Sequence, residues 1–449
     1  MSLAEAAAVL GARVTGGDHV FHSVSTDTRT LEPGALFVAL RGERFDGHDY
    51  IEAAMTAGAA GVLGERAPAA VPAILVDDSL DALQRPAADW RRRFTPELVA
   101  VTGSNGKTTV KEMIAAILSP VAPTLASRGN LNNHIGVPLS LLRLRREHRF
   151  AVIEMGMNHA GELTLLSRLA APNVALITNA APAHLQGLGT VEKVAAAKGE
   201  VFSGLGAGGV AVINADDAFA DYWRGLNRGR RIVTFGLDAA ADVTATVEPG
   251  ADSSRLRIRA GGAVVEVRLA AAGMHNAMNA LAAAAAATAL GVHLDAVGAG
   301  LEAFTPVAGR SQVVELAAGA RLINDCYNAN PASMAAAIDL LARQRGTRIL
   351  VMGDMGELGE RSEDFHREAG ERALQAGIDR LFCYGPLSAL ACRAFGAGAG
   401  TFDDVDALSA AVAGCLGNDV TVLVKGSRAM RMERVADALV VRAGGARRC

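Results

Sequence analysis

Cysteine is scarce in this 449-residue chain, and the five that occur, Cys326, Cys383, Cys392, Cys415 and Cys449, fall without paired metal-ligand spacing. An odd, scattered set suits neither a zinc module nor a disulfide framework. An excess of one charge is missing too: 44 Lys and Arg stand against 47 Asp and Glu, a formal net of -3. No overall field then draws the chain to nucleic acid or anionic lipid, and any anionic ligand must be held locally. The first apolar stretch, MSLAEAAAVLGARV, has no basic residues before it and carries Glu5 inside it, so no secretory signal is expected. The longest apolar run, Ala277 to Val292, is mostly alanine and is broken by Asn279. It reads as a buried helix rather than a membrane span, and a cytoplasmic protein is expected.

What is present is material for large cores: 50% of residues are hydrophobic and 20% charged. A chain of this length should divide into two to four domains of roughly 100 to 200 residues. Short β-like runs (Ala35 to Leu40, Ala73 to Val76) mix with helical ones (Tyr50 to Ala59) in the first segment. A charged helical stretch follows, Asp81 to Arg93, which Pro86 should interrupt. After Thr95-Pro96 strand-like runs at Leu98 to Val101, Phe150 to Ile153, Val174 to Ile177, Gly209 to Ile213 and Arg231 to Phe235 alternate with helices. This is the pattern of a doubly wound, mostly parallel sheet. Beyond the Pro/Gly-marked stretch Thr305 to Gly309, runs at Arg321 to Asn324, Arg348 to Met352, Arg380 to Tyr384 and Thr421 to Val424 indicate a second such unit. The expectation is an α/β protein of three domains, residues 1–95, 96–306 and 307–449, the last Rossmann-like and the first smaller. The richness in Ala and Gly reads as composition rather than signal.

The run Val-Ala-Val-Thr-Gly-Ser-Asn-Gly-Lys-Thr-Thr, residues 99–109, places a loop between a strand and a helix. Backbone N–H groups there can surround phosphate oxygens at the helix N-terminus. Gly103 and Gly106 let the backbone approach, with Ser104 and Asn105 between them; Lys107 brings a point charge, and Thr108, followed by Thr109, offers a hydroxyl to Mg²⁺. The common P-loop would have glycine where Val101 stands. The spacing T-G-x-x-G-K-T resembles instead the Mur ligases and the related folylpolyglutamate synthetases. That resemblance implies ATP as cofactor and amide formation through an acyl phosphate, which an amine attacks.

Both the γ-phosphate and the carboxylate it activates are anions, so such a site needs cations arranged beforehand. Glu154 follows a strand, at the edge where ligands bind in such sheets. In the family the matching glutamate binds Mg²⁺. His184, in Asn-Ala-Ala-Pro-Ala-His-Leu, resembles the family's metal-site histidine. Lys198, in Ala-Ala-Ala-Lys-Gly-Glu, resembles the lysine that is carboxylated by CO₂ and then holds a second Mg²⁺. Lys107, Glu154, His184 and Lys198 are thereby the catalytic set, with Thr108 a further metal ligand. Asn132 and Asn133 lie in an amide-rich loop that resembles a family segment near γ-phosphate and substrate.

Asn276 and Asn279, three apart on one helix face, resemble the family's adenine segment. Arg310 resembles the arginine that contacts ATP, and Asp325 the acid that hydrogen-bonds ribose. The N-terminal motifs with Ser25, Asp27, Arg29 and Asp46 resemble the UDP-binding domain of the third and fourth Mur ligases, which folylpolyglutamate synthetases lack. Between those two, the run from Asn324 to Met334, with Tyr327 and Asn328 as candidate substrate contacts, resembles the dipeptide-adding branch. The patterns of the diamino-acid-adding branch are not found. The stretches Val351 to Gly359 and Val424 to Met432 match the same branch. The implied substrates are UDP-N-acetylmuramoyl-tripeptide and D-Ala-D-Ala, and a monomer is expected.

Overall fold

The computed structural model describes residues 1–42, 45–316 and 319–442; Cys449 lies outside the described residues. Three sheets follow one another along the chain. The first has five strands in the order Arg13–Thr15, Ala73–Leu75, Gly61–Gly64, Ala35–Val38, Ser23–Ser25, all parallel except the first pair. The last has six, in the order Gln312–Glu315, Arg321–Asn324, Val420–Lys425, Thr347–Gly353, Arg380–Tyr384, Ala399–Phe402; only the pair at its Gln312–Glu315 edge is antiparallel.

Nine strands make the central sheet. Its parallel part runs Val243–Pro249, Arg231–Gly236, Val210–Asn214, Val174–Ile177, Glu97–Thr102, Phe150–Glu154, Thr124–Ala126. Strand Glu97–Thr102 is followed in the chain by the far edge strand Thr124–Ala126, and later by Val174–Ile177 on its other side. The order therefore reverses at Glu97–Thr102, and the crevice at the carboxyl ends beside such a reversal is where ligands bind. Alternation sets the two faces: Leu98 and Ala100 join one core, Val99 and Val101 the other.

Two expectations change. Pro86 does not interrupt its helix, which runs Ser79–Arg92. Asp78 caps that helix by accepting from Leu80 N and Asp81 N, and Ala82, Leu83, Pro86 and Ala87 are buried along it. This packing outweighs the backbone hydrogen bond that proline removes, a cost of about 3 kcal/mol. The alanine richness is also structural. In helix Met274–Ala289 every alanine from Ala282 to Ala287 is at most 1% exposed, within the core that holds the phosphate-loop helix Lys107–Leu118. Small side chains let a helix sit close against both sheet and neighbour.

A further element is an antiparallel ribbon, Val243–Pro249, Ser254–Ala260 and Ala263–Leu269, which extends the central sheet. Cys326, Cys383, Cys392 and Cys415 are free thiols, and no described helix is long and apolar enough to cross a membrane.

Candidate active site

A cavity of about 690 Å³ lies between the carboxyl edge of the central sheet and the third domain. On its central wall the loop 103–106 joins strand Glu97–Thr102 to helix Lys107–Leu118, whose first residues carry no side-chain cap. Their N–H groups are open to an anion. Gly103 (φ 147°) and Gly106 (φ 82°) are required as glycines: a Cβ on the first would collide with Thr178 Oγ1, and on the second with Asn279 Oδ1. The loop is stitched to the next strand's end, because Ser104 N donates to Asn179 O at 2.9 Å and Thr178 Oγ1 donates to Asn105 O at 2.6 Å. Lys107, half-buried, donates from Nζ to Gly103 O at 2.7 Å. Burial lowers its pKa, and Glu154 opposes that shift.

Glu154 ends strand Phe150–Glu154 and is 2% exposed. Its carboxylate accepts from Thr108 Oγ1 at 2.7 Å and from Asn132 Nδ2 at 2.7 Å. Asn133, adjacent, turns its oxygen to Ile135 N and Gly136 N, starting helix Gly136–Leu141. Thr109 also lines the cavity. His184 sits in the left-handed region at φ 58°, and its Nδ1 comes within 2.7 Å of a Glu357 carboxylate oxygen from the third domain. Lys198 is 1% exposed, on helix Val191–Gly199. Burial and then nearby Lys107 lower its pKa well below the ordinary lysine value of 10.5.

From the opposite side, Arg310 donates to Thr108 Oγ1 at 2.8 Å while stacking 4.0 Å above the Tyr327 ring. Asp325 accepts from Lys425 Nζ at 2.5 Å and from Ser311 N at 2.9 Å. Asn328 turns its side-chain oxygen to Ala329 N at 2.9 Å and Arg428 N at 3.3 Å. Asn276 and Asn279 share one face of their helix, as their spacing implies, joined at 3.3 Å.

Sixteen of the expected residues from the second and third segments line this cavity; Gly103 and the buried Lys198 are not part of its lining. Ser25, Asp27, Arg29 and Asp46 lie apart, on the first domain. Asp27 pairs with exposed Arg29 at 2.6 Å, which lowers its pKa, and Ser25 Oγ donates to Asp27 O. Asp46 is engaged elsewhere, with its carboxylate 2.5 Å from the buried His48 ring and its pKa lowered to about 2 by the His48 backbone and ring.

Known proteins share this arrangement. Three family descriptions match successive parts of the chain: "Mur ligase family, catalytic domain" residues 20–91, "Mur ligase middle domain" 101–287, and "Mur ligase, glutamate ligase domain" 309–428. The UDP-N-acetylmuramoyl-tripeptide--D-alanyl-D-alanine ligase of Escherichia coli K12 is 43% identical over 444 residues, covering 98% of each chain. The chain belongs to the Mur ligase family. A crystal structure of MurF from Acinetobacter baumannii is similar over 98% of both chains, at 34% identity and a TM-score of 0.91. MurF ligase from Thermotoga maritima, solved with ADP, covers 94% of this Mur ligase and 98% of its own chain at 29% identity and a TM-score of 0.83.

Side chains of this Mur ligase's site that the sequence did not single out include Glu357, Lys425, Arg428 and Asn330. All four lie in motifs that signalled family membership without showing which side chains reach the cavity. Asn330 does two things. Its Oδ1 accepts from Ser333 N at 2.9 Å, capping helix Pro331–Ala342, and its Nδ2 donates to Asn105 Oδ1 across the domain boundary at 2.8 Å. Serine is an equal cap but too short to bridge. Asn330→Ser is expected to melt as the parent does but to need several-fold more ATP for half-maximal rate, whereas Asn330→Ala should also lose about 1 kcal/mol of stability. An ATP titration beside a thermal melt checks this; parental nucleotide affinity in the serine variant would leave Asn330 a helix cap only.

Proposed function

We propose that the chain joins D-alanyl-D-alanine to UDP-N-acetylmuramoyl-tripeptide with ATP, through an acyl phosphate, giving the pentapeptide, ADP and phosphate. The observation that carries this is the two-walled cavity: a phosphate loop with Glu154 and His184 on one side, and the Asp325 to Asn330 motif on the other. Relatives named for that reaction, similar over nearly the whole chain, support it. Residues 1–95 would hold the UDP substrate through Ser25, Asp27, Arg29 and Asp46, residues 96–306 the triphosphate, and residues 307–449 the acceptor. Arg310 and Asp325 would complete the nucleotide site, and Asn276 and Asn279 the adenine contacts. Use of ATP and a UDP-linked substrate places the reaction in the cytoplasm.

The residues present fit Mg²⁺. Among the described residues no three His, Cys, Asp or Glu side chains gather closely enough to cage a metal. Mg²⁺ rarely needs such a cage, since it keeps several waters and binds through one or two carboxylates and substrate phosphates. Thr108 and Glu154, already 2.7 Å apart beside the loop, suit one ion. His184 and Lys198 suit a second, provided that Lys198 is carboxylated on Nζ, because its ammonium would repel the metal. Bound there, Mg²⁺ neutralises charge on the transferring phosphoryl group.

For this chain's own groups the sequence is direct. Lys107 and the open N–H groups hold the γ-phosphate against the substrate carboxylate; a carboxylate oxygen bonds to phosphorus as ADP departs. The acceptor's neutral amine then bonds to the acyl carbon, the C–O bond breaks, phosphate leaves, and the nitrogen gives up one proton to the departing phosphate or to water. Phosphate release is therefore expected only when both UDP-N-acetylmuramoyl-tripeptide and D-Ala-D-Ala are present. UDP-N-acetylmuramoyl-dipeptide with diaminopimelate should be inert. Robust turnover of that second pair, with product mass to match, would replace this reading by the diamino-acid-adding one.

A further inference from the structure

Four carboxylates line the cavity: Glu154, Glu162, Asp325 and Glu357. Three have their oxygens engaged. Glu154 holds Thr108 and Asn132, Glu162 accepts from Asn158 N at 2.7 Å and meets His159, and Asp325 holds Lys425 and Ser311. Among the described residues the Glu357 side chain meets only the His184 ring, and 57% of it is exposed.

The cations sort in the same way. Lys107 lies along its own loop, Arg310 reaches Thr108, and Lys425 is buried against Asp325. Arg428 is exposed, with 63% of its side chain open beyond a contact with Glu433 at 3.2 Å. Its ring partner is Tyr327, 5.7 Å away, on the face opposed to the phosphate loop.

These two exposed charges stand on adjoining loops of the third domain. Ser427 N donates to Asp354 O at 2.9 Å, and a Cβ on Gly356 would lie 3.5 Å from Ser427 Cβ. Glu357 itself has φ 62°, a conformation costly for a non-glycine residue, and its carbonyl accepts from Gln186 N of the central domain at 3.2 Å. Strain held by a cross-domain hydrogen bond keeps this side chain beside the catalytic wall.

We propose that these loops form the acceptor site: Glu357 receives the ammonium end of the incoming zwitterion and Arg428 its carboxylate end. This rests on the function proposed above, for which the acceptor is a dipeptide carrying one charge of each sign. Glu357 would bring the amine next to His184 and Lys107, where the acyl phosphate forms. Removing either partner of a charged hydrogen bond should weaken acceptor binding by roughly 10- to 100-fold.

The test uses the full chain with ATP, Mg²⁺ and UDP-N-acetylmuramoyl-tripeptide at saturation. Glu357→Gln and Arg428→Gln should each raise the KM for D-Ala-D-Ala by that factor. The KM for ATP should stay within about two-fold, since neither side chain holds the nucleotide. The dipeptide amidated at its C-terminus should be a poor acceptor for the parent, and Arg428→Gln should no longer distinguish it from the free acid. Hydroxylamine, an uncharged small nucleophile, should still trap the acyl group as a hydroxamate in both variants, which also shows that they are folded. An unchanged KM for D-Ala-D-Ala with trapping intact overturns the acceptor site alone. Loss of trapping in Glu357→Gln also overturns it, because Glu357 would then act through His184 on the first half-reaction. No hydroxamate from the parent enzyme overturns the acyl-phosphate reading and this inference with it.

Discussion

Lys107→Ala is expected to lose at least about 100-fold in turnover, the scale seen when one preorganised group that stabilises transition-state charge is removed. Lys107 opens helix Lys107–Leu118, and its Nζ lies over the loop carbonyls of Gly103 and Ser104, at 2.7 and 3.4 Å. Those carbonyls hold the ammonium where a γ-phosphate oxygen would meet it. The side chain is half-buried and packs into neither core of the central sheet, so truncation should leave the melting temperature nearly unchanged. The structure adds a reason for the size of the effect. Water screens a charge in this partly buried position poorly, so the ammonium acts strongly on an anion brought beside it. Steady-state phosphate release and a thermal melt on the same preparation decide it. A variant that turns over at the parental rate would remove the phosphate loop from the chemistry.

Local signals made the phosphate loop readable from the sequence. A β-rich run, two glycines, Gly-Lys-Thr and a helix occur within residues 97–118, and the strand and helix appear there. Glu154 and His184 were readable for a related reason, as both follow apolar runs that become parallel strands ending at one sheet edge. What could not be read was partnership between residues far apart in the chain. Arg310 donates to Thr108, Asn330 to Asn105, and Glu357 meets His184; each pair depends on how two domains dock, which periodicity does not encode.

The antiparallel ribbon had a signal that went unused. Leu256 and Ile258 alternate with Arg255, Arg257 and Arg259, a half-buried strand pattern, and Gly261-Gly262 marks its turn. A doubly wound expectation has no place for such a ribbon. Asn133 shows two uses of one short amide: it lines the cavity, and its side-chain oxygen accepts from Ile135 N and Gly136 N at the start of a helix, a local contact that its residue type alone does not announce.

Lys198→Ala is expected to be nearly inactive, and short carboxylic acids such as acetate should restore part of the rate. A lysine that is 1% exposed is costly as an ammonium. Burial first, and Lys107 second, lower its pKa well below 10.5, which raises the fraction of neutral amine at any given pH. Only the neutral amine reacts with CO₂: the nitrogen bonds to carbon, one proton is lost, and a cation becomes a carboxylate-like anion. That exchange removes the repulsion with Lys107 and adds an acidic group where, among the described residues, no three His, Cys, Asp or Glu side chains gather to hold a metal. Acetate, diffusing into the space left by Lys198→Ala, would place a carboxylate in the same position. Glu154→Ala should show no comparable recovery at equal acetate concentration, because Glu154 is held by Thr108 and Asn132 in a different part of the wall. Mass spectrometry under CO₂, read beside the acetate titration, separates the possibilities. Failure of acetate to rescue Lys198→Ala, together with no CO₂ adduct on the parent, would make Lys198 a buried cation and require another ligand for the second Mg²⁺.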